Sequence, residues 1–538
     1  MTVLPDKYAF LLTTPLWYKI RLLIGFSGLV CSGYGLARLF WAHPLATFPF
    51  IFFYAYLIVF LSIATWIGFS YRPFDRVKHW RYKRNFLNSP ERPSVDIFLP
   101  VCGEPLSTIE STWRAVQNLA YSNYRVYVLD DGHSQKVREL ATQYGFTYLA
   151  RENRGHLKKA GNIRHAFART DSEYFTIFDA DFAPRSDYLN ELLPYLVRNP
   201  QIAIVQSPQA FDYPETTNRT APLAYAAHLI QEDFYRRTEV GLDTHNATVC
   251  VGSNAVYRRS VLQKVGGSAP IEHSEDLHTG FAMVKAGYKV KYIPLLLAFG
   301  GVPGDLGSWV RQQIRWCQGS LALVPTLDFW RAKINPATKI AYTSGFLYYY
   351  SSFITLLTPY LTYVVLYLRI PLAPNIIWFY LPVIVTNWIF FPRFRTKPFR
   401  FSLLYVYWLL NYIHVLTILQ HLTKTTAQWI PTASSKTNKS EQRKVLDLVS
   451  FNLAVHLGLI GPLLLQRRVD FSRPISWLVF GWLILEVIKP VLILAYSWLR
   501  IEKIIAKSLF ENAFSRRNQE FGLSVILGIL LSLSVALG

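Results

Sequence analysis

Two long apolar segments near the amino terminus limit what this chain can fold into. Residues 22–41 and 48–69 are almost wholly apolar and are separated by a short turn at His43-Pro44. Each can cross a bilayer, since a membrane helix needs about 20 apolar residues. A cleaved signal peptide would explain the first segment alone, but no small-residue cleavage site is present and a second span follows at once. The sequence therefore predicts a multi-pass protein of the lipid bilayer, with further apolar runs at 340–368, 376–391, 448–465, 475–499 and 521–537.

Basic residues cluster beside these apolar segments. The chain carries 56 Lys and Arg residues against 34 Asp and Glu residues, a net charge of +22. Nucleic acid, an anionic membrane surface or phosphorylated substrates would each suit such an excess. Because the charge lies next to the spans, we expect no nucleic-acid partner, and the positive-inside rule makes the basic tracts cytosolic. These tracts are 71–84, 393–400, 424–444 and 500–517.

Segment 401–421 is the one apolar stretch that this orientation does not accommodate as a span. If it crossed the membrane, the lysine-rich stretch after it would lie outside. We therefore interpret it as an amphipathic helix on the inner membrane surface, with an ordinary span as the alternative. The chain is then expected in the plasma (inner) membrane, with its soluble region in the cytosol.

Residues 72–326 alternate short β-type segments with helical patterns, which predicts an α/β domain with a mostly parallel sheet. A transmembrane hairpin (1–71) precedes this domain, and transmembrane and interfacial helices (327–538) follow it. The four cysteines have neither disulfide-framework nor metal-ligand spacing, so we expect unpaired, buried thiols. The candidate strands are 94–100, 125–129, 146–150, 174–178 and 202–206.

Acidic residues follow two of these strands. Asp130 and Asp131 come after the second, and Asp179 and Asp181 come after the fourth. Ligands of open α/β sheets bind beyond the carboxyl ends of the strands, so these acids should face one nucleotide-binding crevice. If Asp179 and Asp181 continue the strand, both carboxylates point to the same side and can approach one Mg²⁺ or Mn²⁺ ion. An Asp-x-Asp turn without a metal is the alternative.

A third acidic motif, His273-Ser274-Glu275-Asp276, precedes a helical pattern. An acid there can simply cap the helix or complement its dipole. Alternatively, Asp276 is the general base that takes a proton from an acceptor hydroxyl during direct displacement at an anomeric carbon. Displacement inverts configuration, so an α-linked donor would give a β-linked product.

Gln312, Arg315 and Trp316 are spaced i, i+3 and i+4, so they share one face of a helix. The planar fork of Arg315 suits a diphosphate, and the indole of Trp316 offers a flat surface on which a sugar ring can stack. A position in the aromatic belt of a membrane interface would also explain Trp316.

The four motifs together resemble those of the processive family 2 glycosyltransferases, above all bacterial cellulose synthase. They occur in the order Asp130-Asp131-Gly132, Asp179-Ala180-Asp181, Ser274-Glu275-Asp276 and Gln312-x-x-Arg315-Trp316. The resemblance covers residues 93–323 and includes the linking stretches Lys159-Ala160-Gly161-Asn162, Gln206-Ser207-Pro208-Gln209 and 246–259. It implies a GT-A-type glycosyltransferase domain inserted in an α-helical transmembrane bundle.

The resemblance also implies a role for each matching residue. Asp130 would contact the uracil of a UDP-sugar, Asp179 and Asp181 would form the metal site, and Asp276 would be the base. The nucleotide- and donor-binding set comprises Asp130, Asp131, Lys159, Asn162, Asp179, Gln312 and Arg315. The acceptor and channel set comprises Gly252 and Ser253 in a loop beneath the acceptor, Glu275, and Trp316 at the mouth of a transmembrane channel.

Three departures from the family leave the linkage open. The family's Phe-Phe-Cys-Gly-Ser appears as Val249-Cys250-Val251-Gly252-Ser253, and its Thr-Glu-Asp begins with Ser274. The gating motif of cellulose synthases is replaced, within 422–446, by a segment that looks more like relatives making curdlan or mixed-linkage glucans. Its residues are Trp429, Pro431 and Thr432, and an interfacial tryptophan is the alternative.

The expected function is therefore polymerisation of glucose from UDP-glucose into a β-glucan, with a β-1,4 linkage favoured, and extrusion of the growing polysaccharide. Alternatives are a β-1,3 or mixed-linkage product, single sugar transfer to a lipid phosphate, and a transporter or scaffold with a degenerate enzyme domain. By resemblance an accessory membrane or periplasmic subunit is implied. No tail resembling a PilZ domain, which binds cyclic di-GMP, is recognised, so control by that nucleotide is not expected.

Overall fold

The computed structural model describes residues 6–212, 222–303, 305–370, 401–425, 440–466, 468–472 and 474–499. The predicted spans at 376–391 and 521–537, the basic tracts at 393–400 and 500–517, and part of the gating segment lie outside these residues. Within them, four helices are long and apolar enough to cross a membrane: Pro15–Ala42, Thr47–Phe69, Ser440–Leu465 and Val479–Ser497.

The described secondary structure is a helical hairpin, an α/β domain and a group of long helices. The helices are α1 (Pro15–Ala42), α2 (Pro44–Phe69), α3 (Arg76–Asn88), α4 (Leu106–Gln117), α5 (Gln135–Gln143), α6 (Lys158–Phe167), α7 (Tyr188–Arg198), α8 (Pro222–Asp233), α9 (Glu239–Asp243), α10 (Arg259–Lys264), α11 (Glu275–Lys285), α12 (Leu306–Leu323), α13 (Leu327–Arg331), α14 (Pro336–Tyr367), α15 (Phe401–Leu422), α16 (Ser440–Leu465) and α17 (Pro474–Leu499). A single π-helical turn, Phe234–Thr238, joins α8 to α9. The strands are β1 (Val95–Val101), β2 (Tyr124–Asp130), β3 (Thr147–Leu149), β4 (Tyr174–Ile177), β5 (Phe182–Pro184), β6 (Ile202–Gln206), β7 (Ala210–Asp212), β8 (Ala255–Arg258), β9 (Lys289–Tyr292) and β10 (Ala298–Gly301).

A seven-stranded sheet with the order β3-β2-β1-β4-β8-β6-β9 forms the centre of the α/β domain. All five strands predicted from the sequence lie in this sheet, and β1 to β4 pair in parallel as expected. The strands β8 and β9 were not predicted: β8 runs antiparallel to both β4 and β6, and β9 pairs in parallel with β6. Because the parallel strands end at one edge, the loops that follow them meet there.

A smaller sheet with the order β5-β10-β7 lies beside the first. The chain leaves the large sheet after Ile177 and enters the small one at Phe182. The acidic residues predicted to bind a metal lie on this crossing between the two sheets. The α/β domain joined to long apolar helices confirms the predicted fold class, while the domain boundaries at 71 and 326 stay predictions.

Helix α15 differs from the amphipathic surface helix expected at 401–421. A helix lying on a membrane would bury one side only. In the part of α15 whose side chains are described, buried residues instead occur around the circumference, since Val406, Leu409, Tyr412, His414 and Ile418 are all enclosed. The helix packs against α8, α12, α14 and α16, so protein surrounds it. The predicted amphipathic character is therefore wrong; the placement of α15 relative to a bilayer stays a prediction.

Candidate active site

The loop after β2 is held by the carboxylate of Asp130, which is only 1% exposed. One oxygen accepts a hydrogen bond from the Gly132 N–H at 2.7 Å. The other accepts from the Ser134 N–H and from the Tyr148 hydroxyl, both at 2.8 Å. Three donors therefore fix the carboxylate in a turn at the carboxyl edge of the sheet. Its contact with a uracil stays a prediction.

Asp131 forms a buried, two-pronged ion pair with Arg151. The guanidinium Nε and Nη2 atoms each lie 2.6 Å from a carboxylate oxygen of Asp131. The same guanidinium donates to the carbonyl oxygens of His156 at 2.6 Å and Lys158 at 3.0 Å. Arg151 thus shapes the loop that leads into α6, although it was not among the sequence candidates. Its position directly after a predicted strand, at the same sheet edge as Asp131, was the signal that could have identified it.

Glu104, in the loop after β1, is a second residue that the motifs did not indicate. Its carboxylate accepts a hydrogen bond from the Cys102 N–H at 2.6 Å. Burial raises the pKa of this carboxyl, and the nearby negative charges of Asp179 and Asp130 raise it further. The acidic edge of the sheet is therefore built from the ends of β1, β2 and β4 together.

Helix α6 begins beside these acids with Lys159 in its first turn. The Lys159 ammonium forms an ion pair with Asp179. Burial acts to lower the pKa of this ammonium, but the carboxylates of Asp179, Glu275 and Asp276 raise it above its ordinary value, so the lysine stays charged. Asn162, one turn later, donates to the Leu129 carbonyl at 2.8 Å and so ties α6 to β2. A contact of Asn162 with nucleotide phosphates stays a prediction.

The predicted extension of a strand through Asp179 and Asp181 is wrong. Strand β4 ends at Ile177, and the Phe182 N–H donates to the Asp179 carbonyl at 3.0 Å, which closes a turn. The physical reason is the crossing between sheets, since Asp181 already accepts from Gly301 of the small sheet through its carbonyl at 3.1 Å. Burial raises the pKa of the Asp181 carboxyl to about 7, and the charge of Asp179 adds to this. The turn therefore places the two carboxylates close enough for their charges to interact, although neither residue lies on a strand.

The loop at Gly252 and Ser253 connects this turn to the third acidic motif. The Ser253 hydroxyl accepts from the Asp179 N–H at 3.0 Å, and its side chain is fully buried. Gly252 has a left-handed backbone (φ +73°), and a Cβ atom there would lie 2.6 Å from Oδ2 of Asp276. Because only glycine leaves this space, the loop can lie directly against Asp276.

Asp276 lies in the first turn of α11. Its side chain bonds to a backbone N–H of this turn, as expected from the alternative in which the acid caps the helix. Its Oδ1 atom accepts from the Leu277 N–H at 2.8 Å, while Oδ2 faces Gly252. Glu275 and Asp276 both line a small cavity whose other walls are largely apolar. Burial raises the pKa of both carboxyls, to about 7 for Glu275, and the charge of Lys159 opposes this rise. Asp276 is thus a desolvated carboxylate beside a cation, which suits a proton acceptor.

Helix α12 carries Gln312 and Arg315, and the charge of Arg315 interacts with the same acids. Burial lowers the pKa of the Arg315 guanidinium to about 10, as does nearby Arg311, whereas Asp179, Asp181 and Glu275 raise it. Arg315 is therefore within electrostatic reach of both acidic motifs. The Oε1 atom of Gln312 is buried and accepts no hydrogen bond within the described part of the chain. A buried amide oxygen of this kind is costly, so a ligand donor at this position would be favoured.

The acidic loop before α11 packs directly onto α12. The Ser274 hydroxyl donates to the Arg315 carbonyl at 3.4 Å. A methyl group at Gly319 would overlap the Cβ and Oγ atoms of Ser274. Trp316, on the neighbouring turn, packs against the apolar cluster that includes Ile314 and Leu410. Two of the sequence motifs are thus brought into contact, and Trp316 lies at their border with the long helices.

The metal prediction is compatible with the donor atoms present. Among the described residues no group of three or more His, Cys, Asp and Glu side chains gathers as a metal site. Asp179 and Asp181 supply two carboxylates, and Mg²⁺ is commonly held by one or two carboxylates plus water and substrate phosphates. The residues therefore fit a divalent cation that binds together with a nucleotide, and not one in a closed protein cage.

The gating residues Trp429, Pro431 and Thr432 lie outside the described residues. The structure gathers eight of the other predicted site residues around one crevice: Lys159, Asp179, Asp181, Gly252, Ser253, Glu275, Asp276 and Arg315. Asp130, Asp131 and Asn162 line its edge, where their side chains bind protein groups.

Comparisons with known proteins show which families this chain is similar to. Residues 96–266 match the profile of "Glycosyl transferase family 2". The chain is 33% identical over 263 residues to a cellulose synthase catalytic subunit (UDP-forming) of Pseudomonas fluorescens, covering 48% of this chain and 36% of that protein. It is 33% identical over 238 residues to cellulose synthase 1 of Komagataeibacter xylinus, covering 44% of this chain and 15% of that protein. The chain therefore spans well under half the length of these relatives.

Among solved structures, a mannosyltransferase from Pyrobaculum calidifontis, determined in complex with GDP-Man and Mn²⁺, aligns with 65% of this chain and 95% of its own. The sequence identity is 16% and the TM-score is 0.46. The profile match begins in β1, includes the Asp130 and Asp179 motifs, and ends just before the Asp276 motif. Residues 96–266 therefore match a family 2 glycosyltransferase domain, and the chain is similar to cellulose synthase catalytic subunits, the family that the four motifs resemble.

Proposed function

We propose that this protein is an inverting, processive membrane glycosyltransferase that polymerises glucose from UDP-glucose into a β-glucan and extrudes the product. The observation that carries the proposal is the position of Asp276. Its carboxylate lies against Gly252, whose neighbour Ser253 holds the Asp179 turn, and Lys159 is charged between the two acidic motifs. A proton acceptor and a diphosphate-binding set therefore share one crevice.

The chemistry follows from this geometry. An acceptor hydroxyl beside Asp276 attacks the anomeric carbon, the new carbon–oxygen bond forms as the bond to the diphosphate breaks, and the hydroxyl proton passes to Asp276. Attack from the side opposite the leaving group converts an α-linked donor into a β-linked product. The burial of Asp276 supports its role, because a desolvated carboxylate has a raised pKa and binds a proton more readily.

The reaction also requires that the negative charge of the leaving diphosphate be stabilised. Lys159 and Arg315 are the cations that reach this crevice, and both are held close to carboxylates. A divalent cation, Mg²⁺ or Mn²⁺, would be held by Asp179 and Asp181 and would neutralise the diphosphate when bound. The nucleotide, the metal, the two basic side chains and the two carboxylates would then form one charge-balanced group.

Extrusion rests on the long helices that join the catalytic domain. Trp316 lies where α12 meets the apolar cluster around Leu410 of α15, so a sugar ring stacked on it would stand at the entrance to these helices. The four candidate spans, together with the basic tracts, support a multi-pass protein of the plasma (inner) membrane with a cytosolic catalytic domain. An accessory membrane or periplasmic subunit belongs to the proposal by similarity to cellulose synthases alone.

The linkage is proposed as β-1,4, with β-1,3 or mixed linkage as the second candidate. A specific feature favours the second: Cys250, within the altered Val249–Ser253 loop, packs against α11, where a Cβ atom at Gly280 would lie 2.6 Å from the Cβ of Cys250. A cysteine at this contact, in place of the family's phenylalanine, would let the loop beneath the acceptor lie at a different height. A different loop height would present a different hydroxyl to the donor.

Membrane vesicles containing the protein test the proposal directly. They should be incubated with a panel of radiolabelled UDP- and GDP-sugars in the presence of Mg²⁺ or Mn²⁺, and any polymer digested with linkage-specific glycanases. UDP-glucose should give an insoluble polymer that a β-glucanase degrades. Label found only in organic-soluble lipid would instead establish single sugar transfer to a lipid phosphate. Incorporation from none of the nucleotide sugars would contradict the proposed activity.

A further inference from the structure

Helix α3 exposes one side that combines aromatic, apolar and basic residues. Val77, Trp80, Arg84 and Leu87 follow one another at helical spacing, and Arg81 lies among them. Val77 is 67% exposed, Trp80 58% and Leu87 41%. The guanidinium of Arg84 stacks on the Trp80 ring at 5.2 Å. We name this side of the helix the outer face of α3.

The opposite side of α3 is fixed to the catalytic domain. His79 is buried, with Nδ1 at 2.7 Å from the Tyr195 hydroxyl and Nε2 at 2.5 Å from Glu191. Lys83 also binds Glu191, and the Tyr82 ring contacts the Tyr195 ring edge-on. Because Glu191 and Tyr195 belong to α7, the helix cannot turn its outer face inward. The exposed apolar residues are therefore a fixed part of the surface.

The segment that contains the outer face is strongly basic, and Arg81 and Arg84 lie on that face. Residues 72–84 contain six Lys and Arg residues and one acid. That acid, Asp75, caps the helix by accepting from the Lys78 N–H at 2.8 Å. An anionic partner is therefore favoured over a neutral or basic one.

The position of α3 in the fold indicates which anionic partner it meets. Helix α2, a candidate span, ends at Phe69, and α3 begins at Arg76. Since α1 and α2 form a hairpin, the start of α1 lies on the same side as the end of α2. Trp17 near the start of α1 is 59% exposed, and Lys19 and Arg21 follow it.

A third exposed tryptophan lies on that side. The start of α14 meets the end of α2 at His245, whose ring lies 4.0 Å from that of Trp66 and whose carbonyl accepts from Thr338 at 2.6 Å. Just before α14, Trp330 is 54% exposed and precedes Arg331 and Lys333. Exposed tryptophans beside basic residues at the ends of membrane helices are typical of a bilayer interface.

We propose that the outer face of α3 binds the anionic phospholipid headgroups of the inner leaflet, with Trp80 inserted at the headgroup boundary and Arg81 and Arg84 paired with lipid phosphates. A basic helix with tryptophan on its apolar side lies in the plane of such a surface. Because α7 holds the other side of α3, this contact fixes the catalytic domain relative to the membrane. The proposal goes beyond sugar transfer and stands independently of it.

The test uses the full chain in nanodiscs of phosphatidylcholine alone or mixed with phosphatidylglycerol. Deuterium uptake of the peptide covering 76–88 should fall several-fold in rate when phosphatidylglycerol is present and return when the salt concentration is raised. The variant Arg81→Ala/Arg84→Ala should lose this lipid-dependent protection. The variant Arg169→Ala/Lys289→Ala removes the same charge from exposed positions on the domain and should keep it.

Several results would overturn the proposal. Equal uptake in both lipid compositions would show that α3 does not distinguish anionic headgroups. Unchanged protection in Arg81→Ala/Arg84→Ala would show that these arginines make no contact with lipid. Protection that follows protein concentration and not lipid composition would assign the face to a second copy of the chain. Uptake of peptides from β1 and α7, measured in the same samples, reports whether each variant is folded.

Discussion

Gly252 and Asp276 approach so closely that any side chain at the glycine would displace the carboxylate. A Cβ atom on Gly252 would lie 2.6 Å from Oδ2 and 2.9 Å from Cβ of Asp276. Gly252 lies in a loop and Asp276 in the first turn of α11, 24 positions apart in the chain. Their contact joins the loop that supports Asp179 to the helix that begins with the proposed base.

The first prediction is that Gly252→Ala removes sugar transfer. The alanine would be strained by about 1–2 kcal/mol in its left-handed backbone, and its methyl group would also push Asp276 aside. Polymer formation by membrane vesicles should fall at least tenfold. Gly145→Ala is the matched control, because Gly145 has a similar φ of +69° with no atom near its Cβ position. Equal loss in both variants would mean that backbone strain alone, and not the contact with Asp276, is responsible.

The second prediction concerns the contact between the acidic loop and α12. Gly319→Ala would overlap Ser274 and separate Asp276 from Arg315, so kcat should fall while UDP binding is largely kept. Alanine normally stabilises a helix relative to glycine by about 1 kcal/mol, so a loss would come from the overlap. The control Gly345→Ala, whose nearest atom would be Ser320 Oγ at 3.9 Å, should leave activity unchanged. Normal kcat in Gly319→Ala would show that the loop does not need this packing.

Sequence patterns predicted most of the catalytic sheet. Five strands were expected from short apolar runs, and all five were found, since buried parallel strands have a clear apolar signature. The unpredicted β8 and β9 are only four residues long each, and β8 follows the irregular loop that contains Gly252, so both have little pattern of their own. The existence of these five strands and the mostly parallel character of the sheet were therefore readable from the sequence.

The close contacts of the site were not readable in the same way. The Asp179–Asp181 motif was placed on a strand because the apolar run continues up to it, but the crossing to the second sheet forces a turn. The approach of Gly252 to Asp276 depends on how a loop packs against a distant helix. The local spacing of residues does not predict such a tertiary contact. The ion pair of Arg151 was not predicted because its partner, Asp131, is 20 residues away in the chain.

The third prediction uses the raised pKa of Glu275. Burial raises this pKa to about 7, and the charge of Asp276 adds to it, so Glu275 is neutral below about pH 7 and charged above. When Glu275 loses its proton, its negative charge makes Asp276 a stronger base, so kcat should rise as the pH passes upward through 7. Glu275→Gln removes this titration and should flatten the profile of kcat against pH in that range. The same step near pH 7 in both proteins would assign the titration to another group.

The fourth prediction concerns Glu191, which joins α3 and the amino-terminal segment to the domain. Burial acts to raise the pKa of Glu191, but hydrogen bonds from His79, Lys7 and Lys83 lower it well below its usual range. A lowered folded-state pKa stabilises the protein above the unfolded pKa of about 4.3, and this stabilisation is lost as the pH falls below it.

Glu191→Gln should therefore lower the melting temperature at neutral pH. The free energy of unfolding should fall by an amount near the lower end of about 3–5 kcal/mol, because Lys7 and Lys83 are partly exposed and water screens their charges. At pH 4 and below, the difference between the variant and the parent protein should shrink. Glu110→Gln, which breaks an exposed pair with Arg114, should change the melting temperature little. A pH-independent difference for Glu191→Gln would assign its effect to packing.

The identity of Asp276 as the proton acceptor is the central claim, and the variant Asp276→Asn tests it most directly. The amide matches the carboxylate in shape but cannot accept a proton from the acceptor hydroxyl. Purified protein in vesicles should bind UDP-glucose with nearly unchanged affinity, measured by equilibrium binding in the presence of Mg²⁺ or Mn²⁺, while the rate of polymer formation falls by about 10²–10⁴-fold. Polymer formation at the parent rate by Asp276→Asn would contradict the account.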